Sequence, residues 1–369
     1  MTRTRAKNTN EYGLKRSRMD QCMQSGKLPF DLLQKVLKKY SIIDPTVIVG
    51  PKIGEDAAVI DPGKESKHYW VMTSDPITFT TDEIGYYGVV VNLNDIATRG
   101  ATPKYFLATL LFPEKDSDRT RIHKVFHQIH NACRRFKVSF VGGHTEITPC
   151  LERVILSGHM IGKVNKRDLV RTSGARSGDV LLLIKGVCIE GTSIIAREKE
   201  KELRLRGFSA SFIKRAKSFI FDPGIDVLQA TQIACRHATI HSMHDPTEGG
   251  LINGIVEMAI ASEKEIEVDL EKVFIYEEAK ILCREFGLNP LGTIASGSLL
   301  LTCSPKDFPA LQKVFQRTPI PIRVIGRVKR GRAKAFAMEG KRKKELKPLP
   351  RDEILKIYKN PKGSRNQGA

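Results

Sequence analysis

Five short stretches of this 369-residue chain set carboxylates, amides and hydroxyls beside glycines, as a site for phosphate and its counter-ion would require. In Gly54-Glu-Asp-Ala-Ala-Val59 two carboxylates follow a glycine and precede small apolar residues. Carboxylate oxygens so placed suit a hard divalent cation, although a plain turn would use the same residues. Thr73-Ser-Asp75 stands at the end of a strand-like run, 69–73. Asn92 and Asp95 are three apart in an otherwise apolar segment and share one helical face. Polar groups there cost burial energy unless something binds them. Val141-Gly-Gly-His-Thr-Glu146 follows a strand with two glycines that admit a ligand to the backbone. Its His144 could move a proton near neutral pH or serve only as a structural hydrogen-bonder. His244-Asp-Pro-Thr-Glu-Gly-Gly250 ends where a helix begins, and helix N-terminal amides attract anions. Lys185-Gly186 and Glu190-Gly-Thr192 repeat the strand-to-helix arrangement in a less specific form.

The elements needed to hold these loops follow from hydrophobic periodicity. Pro29 opens a helix with Leu32, Leu33, Val36, Leu37 and Tyr40 on one face. Strands are expected at 46–49, 57–60, 69–73, 105–112, 138–141 and 153–161, with helices at 85–98 and 117–135. A polar linker at 165–176 leads to an unbroken apolar strand, 180–184. Helices follow at 191–205, 210–219, 225–236, 249–262, 276–286 and 305–316, with strands at 239–242, 298–302 and 322–328. The expected fold class is α+β: two mixed α/β domains, 29–165 and 176–338, between basic tails at 1–28 and 339–369.

Lysine and arginine outnumber the acids to give a net charge of +20, which could mark a nucleic-acid binder. The surplus lies at the ends, with +5 over residues 1–28 and +11 over 327–369. Runs such as Lys341-Arg-Lys-Lys344 carry no interleaved aromatic platform, so solvated tails are expected. Weak, nonspecific nucleic-acid contact through those tails is the alternative. No apolar run approaches the ~20 residues of a membrane span, and the basic N-terminus has no apolar core behind it. A soluble protein of the cytoplasm is expected. The seven cysteines form no C-x-x-C pair, which argues for reduced, structural thiols. His123, His127 and His130 step along one helix without a carboxylate in phase, a poor zinc site. Neither a P-loop nor a dinucleotide fingerprint is present, so any ATP would be held through acidic, magnesium-binding loops.

Taken in order, the five loops resemble the superfamily of aminoimidazole-ribonucleotide (AIR) synthase, selenophosphate synthetase, thiamine-monophosphate kinase and the hydrogenase-maturation dehydratase. The resemblance runs from about residue 26 to about residue 330. It implies AIR-synthase-like N- and C-terminal domains, a homodimer paired through N-terminal-domain strands, and ATP with magnesium between the domains. Carried over by motif, Asp56, Asp75 and Asp95 would hold the metal and phosphates. Asn92, Gly142, Gly143, Thr145 and Thr247 would border the nucleotide, and His144 and Asp245 would be catalytic. The Asp-Pro-Thr-Glu-Gly-Gly loop and Asn289-Pro290 look most like the hydrogenase-maturation branch. That branch's dehydratase uses a C-terminal cysteine, whereas the last cysteine here is Cys303. The resemblance therefore implies an ATP- and magnesium-dependent ligase, dehydratase or phosphotransferase that activates an oxygen of a small amide- or carbamoyl-type substrate. The alternatives are a maturation or nucleotide-binding assembly protein without turnover, and a polyanion-binding protein.

Overall fold

The computed structural model describes residues 25–40, 42–80, 82–340 and 342–358. After α1 (Phe30–Lys39), the first domain forms β1 (Val47–Val49), β2 (Ala58–Ile60), β3 (His68–Ile77), β4 (Thr102–Pro113), β5 (Ser139–Thr148) and β6 (Ile155–Asn165). These pair in the order β1-β2-β3-β6-β4-β5, with only β4 and β5 parallel. Buried and half-buried residues alternate along β6, so one face of the sheet receives helix α2 (Ile84–Thr98). The helix α3 (Arg119–Phe136) covers α2 in turn and turns Val125, Ile129 and Cys133 inward.

The second domain comprises β7 (Val180–Ile184), α4 (Ile189–Glu198), α5 (Glu200–Leu205), α6 (Ala210–Ser218), α7 (Leu228–His237), β8 (Ile240–His244) and α8 (Gly250–Ser262). It continues with β9 (Glu265–Val268), α9 (Glu277–Glu285), β10 (Leu299–Cys303), α10 (Phe308–Phe315), β11 (Ile322–Lys329), β12 (Lys334–Glu339) and β13 (Arg342–Leu346). Its seven strands run β13-β12-β9-β11-β7-β10-β8. The two-sheet, mixed α/β architecture agrees with the expected class.

All fifteen residues of α2 are buried, because the helix lies between its own sheet and the second domain. Asn94 makes that contact specific: its side chain donates to the Ile225 carbonyl at 2.9 Å and accepts from the Val227 amide at 2.9 Å. One apolar cluster runs from the first sheet through α2 to Ile189, Ile194, Ile354 and Ile357. Burial of this kind contributes about 25 cal/mol per Å². Among the described residues no helix is long and apolar enough to cross a membrane.

Three expectations change. β3 does not stop at Thr73 but continues to Ile77, so Asp75 projects from within a strand. β5 likewise runs through Gly142 and Gly143 instead of ending there. A Cβ on Gly143, whose φ is +140°, would stand 1.9 Å from the Ala108 carbonyl, so close strand approach explains that glycine. Third, the stretch 342–358 is not a solvated tail: it forms β13 and a 3-10 helix, Glu353–Tyr358. Ile354 and Ile357 bury there, and Lys343 pairs with Glu265 and Glu267, so interspersed apolar residues and acidic partners absorb a run that looked merely basic. Of the tails expected at 1–28 and 339–369, residues 1–24, with Cys22, and 359–369 lie outside the described residues.

Candidate nucleotide and metal site

A cleft of about 240 Å³ opens between the domains, walled by β3, α2 and the 54–56 turn on one side and by residues 244–248 and α4 on the other. Asp56, Asp75, Asp95, Asp245 and Thr247 all line it. Five of the expected residues, dispersed over nearly 200 positions, therefore meet in one place.

Two side chains of α2 aim the carboxylates. Asn92 accepts the Asp75 amide at 3.0 Å and donates to the Asp75 and Gly88 carbonyls at 3.2 and 2.9 Å. Its polar atoms are thus engaged with backbone, and it stands behind Asp75 without lining the cleft. Asp95 accepts a hydrogen bond from the Thr73 hydroxyl. Thr98 and Arg99, one turn on, donate to Asp56 Oδ2, each at 2.9 Å. Arg99 is fully buried; it also pairs with Glu55 and reaches across to the Thr172 hydroxyl at 2.7 Å and the Met243 carbonyl at 3.0 Å. The supposed linker is therefore part of the site: Glu55 accepts the amides of Thr172 and Ser173 at 3.2 and 3.0 Å.

His244, from β8, completes this layer. Its Nδ1 lies 2.6 Å from Asp56 Oδ1 and its Nε2 3.0 Å from Glu257 Oε2. Burial opposes its charge, but the two carboxylates outweigh burial and raise its pKa to about 10. Burial likewise opposes ionisation of Asp56 and Glu257. His244 and Arg99 overcome it at Asp56, and Lys27 and His244 at Glu257, so both carboxyls titrate low. Lys27 enters from the segment before α1, its Nζ 3.1 Å from Thr247 Oγ1 and 3.5 Å from Glu257 Oε1. Glu55, Asp56 and Glu257 are thus matched by Arg99, His244 and Lys27.

Among the described residues Asp95 and Asp245 make no direct ion pair, although the charges of His244 and Arg99 partly offset the acids around Asp245. Burial first, then Asp75 and Asp245, push the Asp95 carboxyl well above the usual range. Burial and Asp56 do the same to Asp245, whose buried Oδ2 has no hydrogen-bond partner among the described residues. An orphaned carboxylate oxygen beside further carboxylates is the chemistry a divalent cation relieves, so these residues fit magnesium. Asp56, His244 and Asp245 also bring possible ligand atoms within 4.8 Å of one another. With both nitrogens on carboxylates the imidazolium has no lone pair to give, so the carboxylates alone can ligate.

The remaining expected residues lie elsewhere. Gly142, Gly143, His144 and Thr145 are exposed on β5, the edge strand of the first sheet, and none lines the cleft. His144 pairs there with Glu146 at 3.0 Å. The amides at the head of α8, expected to face an anion, are partly taken: Gly249 donates to Asp352 at 2.6 Å and Gly250 to the Thr247 carbonyl at 3.0 Å. Arg99, His244, Glu257 and Lys27 were given no role from sequence. A lone acid in the apolar run of α8 was the readable sign for Glu257, since an unpaired buried charge is prohibitively costly.

Residues 54–164 match the model of the AIR synthase related protein, N-terminal domain, and residues 176–338 that of its C-terminal domain. A candidate hydrogenase expression/formation protein of Methanocaldococcus jannaschii is 24% identical over 300 residues, covering 80% of this chain and 85% of that one. The carbamoyl dehydratase HypE of Rhizobium leguminosarum bv. viciae is 24% identical over 257 residues, 68% of this chain and 70% of its own. Among solved structures, the hydrogenase maturation protein HypE in complex with ATP superposes with a TM-score of 0.61 at 22% identity, over 84% of this chain and 92% of its own. With matches that together span most of the sequence, the chain belongs to the AIR synthase related superfamily.

Proposed function

We propose that this protein is an ATP- and magnesium-dependent enzyme that phosphorylates, and so activates, an oxygen of a small amide- or carbamoyl-type substrate. The observation that carries this reading is the interdomain cleft, where Asp75, Asp95 and Asp245 converge and, among the described residues, make no ion pair of the kind that joins Glu55, Asp56 and Glu257 to Arg99, His244 and Lys27. Asp56, Asp75 and Asp95, joined by Asp245, would hold the metal. Asp56 can take part through Oδ1, which accepts from His244 alone, whereas Oδ2 already accepts from Thr98 and Arg99. When bound, magnesium would neutralise phosphate charge and orient the transferred group. The chain's own residues do the positioning: Asn92 fixes Asp75, Thr73 fixes Asp95, and Arg99 with His244 fixes Asp56. Thr247 and Lys27 stand at the second-domain side, where a phosphate oxygen could accept from either. The relatives' names support the class of reaction: one is a carbamoyl dehydratase and a hydrogenase maturation protein of this fold was solved with ATP.

A homodimer paired along β5 belongs to the same proposal. Ten residues of edge, unpaired among the described residues and with Val141 and Ile147 half exposed, form a template for another strand. Only through such a dimer would Gly142, Gly143, His144 and Thr145 come to border a nucleotide.

Isothermal calorimetry tests the reading. The native protein should bind ATP with magnesium and lose that binding with EDTA. Asp75→Asn and Asp245→Asn should each weaken it by about tenfold or more, the worth of a lost charge-assisted contact. Native protein that binds no ATP, or variants that bind unchanged, would contradict it.

A further inference from the structure

The segment after β13 lies beyond residues 176–338, yet it reaches α8, the turn before it, α4 and the loop before β10. Leu349 exchanges hydrogen bonds with the Asn253 side chain of α8, amide to Oδ1 at 2.7 Å and carbonyl to Nδ2 at 3.4 Å. Arg351 reaches the N-terminal segment, donating to the Ser25 hydroxyl at 2.7 Å and the Ser25 carbonyl at 3.3 Å, two residues before Lys27. Asp352, 4% exposed, accepts the Gly249 amide on Oδ2 at 2.6 Å and the Ile294 amide on Oδ1 at 3.2 Å. Gly249 heads the helix that follows Asp245, Thr247 and Glu248, and Ile294 lines the cleft itself. Glu353 accepts the Asn289 amide at 2.9 Å, in the loop leading to Ile294. Leu349 also fills the space beside Gly292, where a Cβ would stand 2.3 Å from its Cδ1.

We propose that residues 349–353 are a clasp that sets the cleft's second-domain wall and the approach of Lys27, with Asp352 as its positioning residue. Three separate chain segments, at 25, 249–253 and 289–294, converge on five consecutive residues. None of these bonds belongs to a helix or sheet ladder, so regular secondary structure does not replace them. Asp352 sits at the head of α8, where one carboxyl group holds the Gly249 amide and the loop before β10 in one grip. The clasp rests on the proposed function only for the identity of the ligand it serves.

Hydrogen exchange of the full chain, read by mass spectrometry, together with magnesium–ATP calorimetry, tests this. Asp352→Ala should speed exchange of the amides at 247–254 and 291–296 by about tenfold or more, leaving β3, β6 and α3 unchanged. It should weaken magnesium–ATP binding by a similar factor, while Asp352→Asn, which keeps one oxygen acceptor, falls between. Faster exchange over the whole chain would reduce Asp352 to a general stabiliser and overturn the proposal, as would unchanged exchange in the two loops. Should the native protein bind no magnesium–ATP, the enzymatic reading fails, but the exchange pattern still decides the clasp.

Discussion

At the scale of single residues, the site separates into a neutralised layer and a layer still short of positive charge. His244 bridges carboxylates from both domains, so the cleft walls are joined by an ion network before any ligand arrives. Removing one member of such a buried set is typically costlier than the set is stabilising, because its partners stay charged. Glu190, in α4 and on the cleft wall, is a different case. Burial pushes its carboxyl up to about 7, and Oε2 has no partner among the described residues. Since the folded state then holds a proton that the unfolded chain releases, Glu190 favours folding below about pH 4.5 and loses that contribution as pH rises through about 7. Urea unfolding across this window should show native stability, relative to Glu190→Gln, falling by up to about 3 kcal/mol toward pH 7. A flat difference would contradict the burial argument. The acids of the first domain were legible because aspartates beside glycines or inside apolar runs need a reason. Arg99 and Lys27 were not, since arginine and lysine near a chain turn or tail read as surface charge until their partners are known.

At the scale of elements, α2 is the part on which the site depends. A helix buried all round normally carries no polar residues. Here Asn92, Asn94, Asp95, Thr98 and Arg99 each find a partner, in β3, in the second domain, or in the 54–56 turn, where Thr98 and Arg99 share Asp56. Close packing of β6 fixes the helix: a Cβ on Gly158 would come within 2.4 Å of Asn92 Nδ2. Gly158→Ala should therefore displace the Asn92 amide from Asp75. The expected cost is about 1–3 kcal/mol of stability, with weaker magnesium–ATP binding, measurable by denaturant titration and calorimetry. Helix periodicity showed α2 and α3 to within a residue or two, because their apolar residues recur every three or four positions. Strand ends were less visible. β3 and β5 pass through polar and glycine residues that ordinarily stop a strand, held instead by ten-residue pairing with β6 and by the parallel ladder with β4. β9, β12 and β13 went unseen because short strands dense in charge lack an alternating apolar signature.

At the scale of the whole molecule, charge and surface point in different directions. Much of the basic C-terminal stretch is folded and paired, Arg327 with Glu267 and Lys334 with Glu345. The prominent unsatisfied surface is the β5 edge. If two copies pair there, Val141→Lys together with Ile147→Lys should shift the protein from dimer to monomer in sedimentation velocity while leaving each chain folded. An unchanged dimer would place the interface elsewhere, and a native monomer would remove it. The two-domain plan was readable from the order of strands and helices. The joining of the domains was not, because its contacts, Asn94 to Ile225 and Arg99 to Met243, link residues more than 130 positions apart.

The central claim, a magnesium–nucleotide site between the domains, is met most directly by crystallising the protein with manganese and a non-hydrolysable ATP analogue and locating the anomalous signal. Manganese should lie against the carboxylates of Asp75, Asp95 and Asp245, with His244 still between Asp56 and Glu257. A manganese signal away from these carboxylates, or none at a concentration that saturates the analogue, would contradict it.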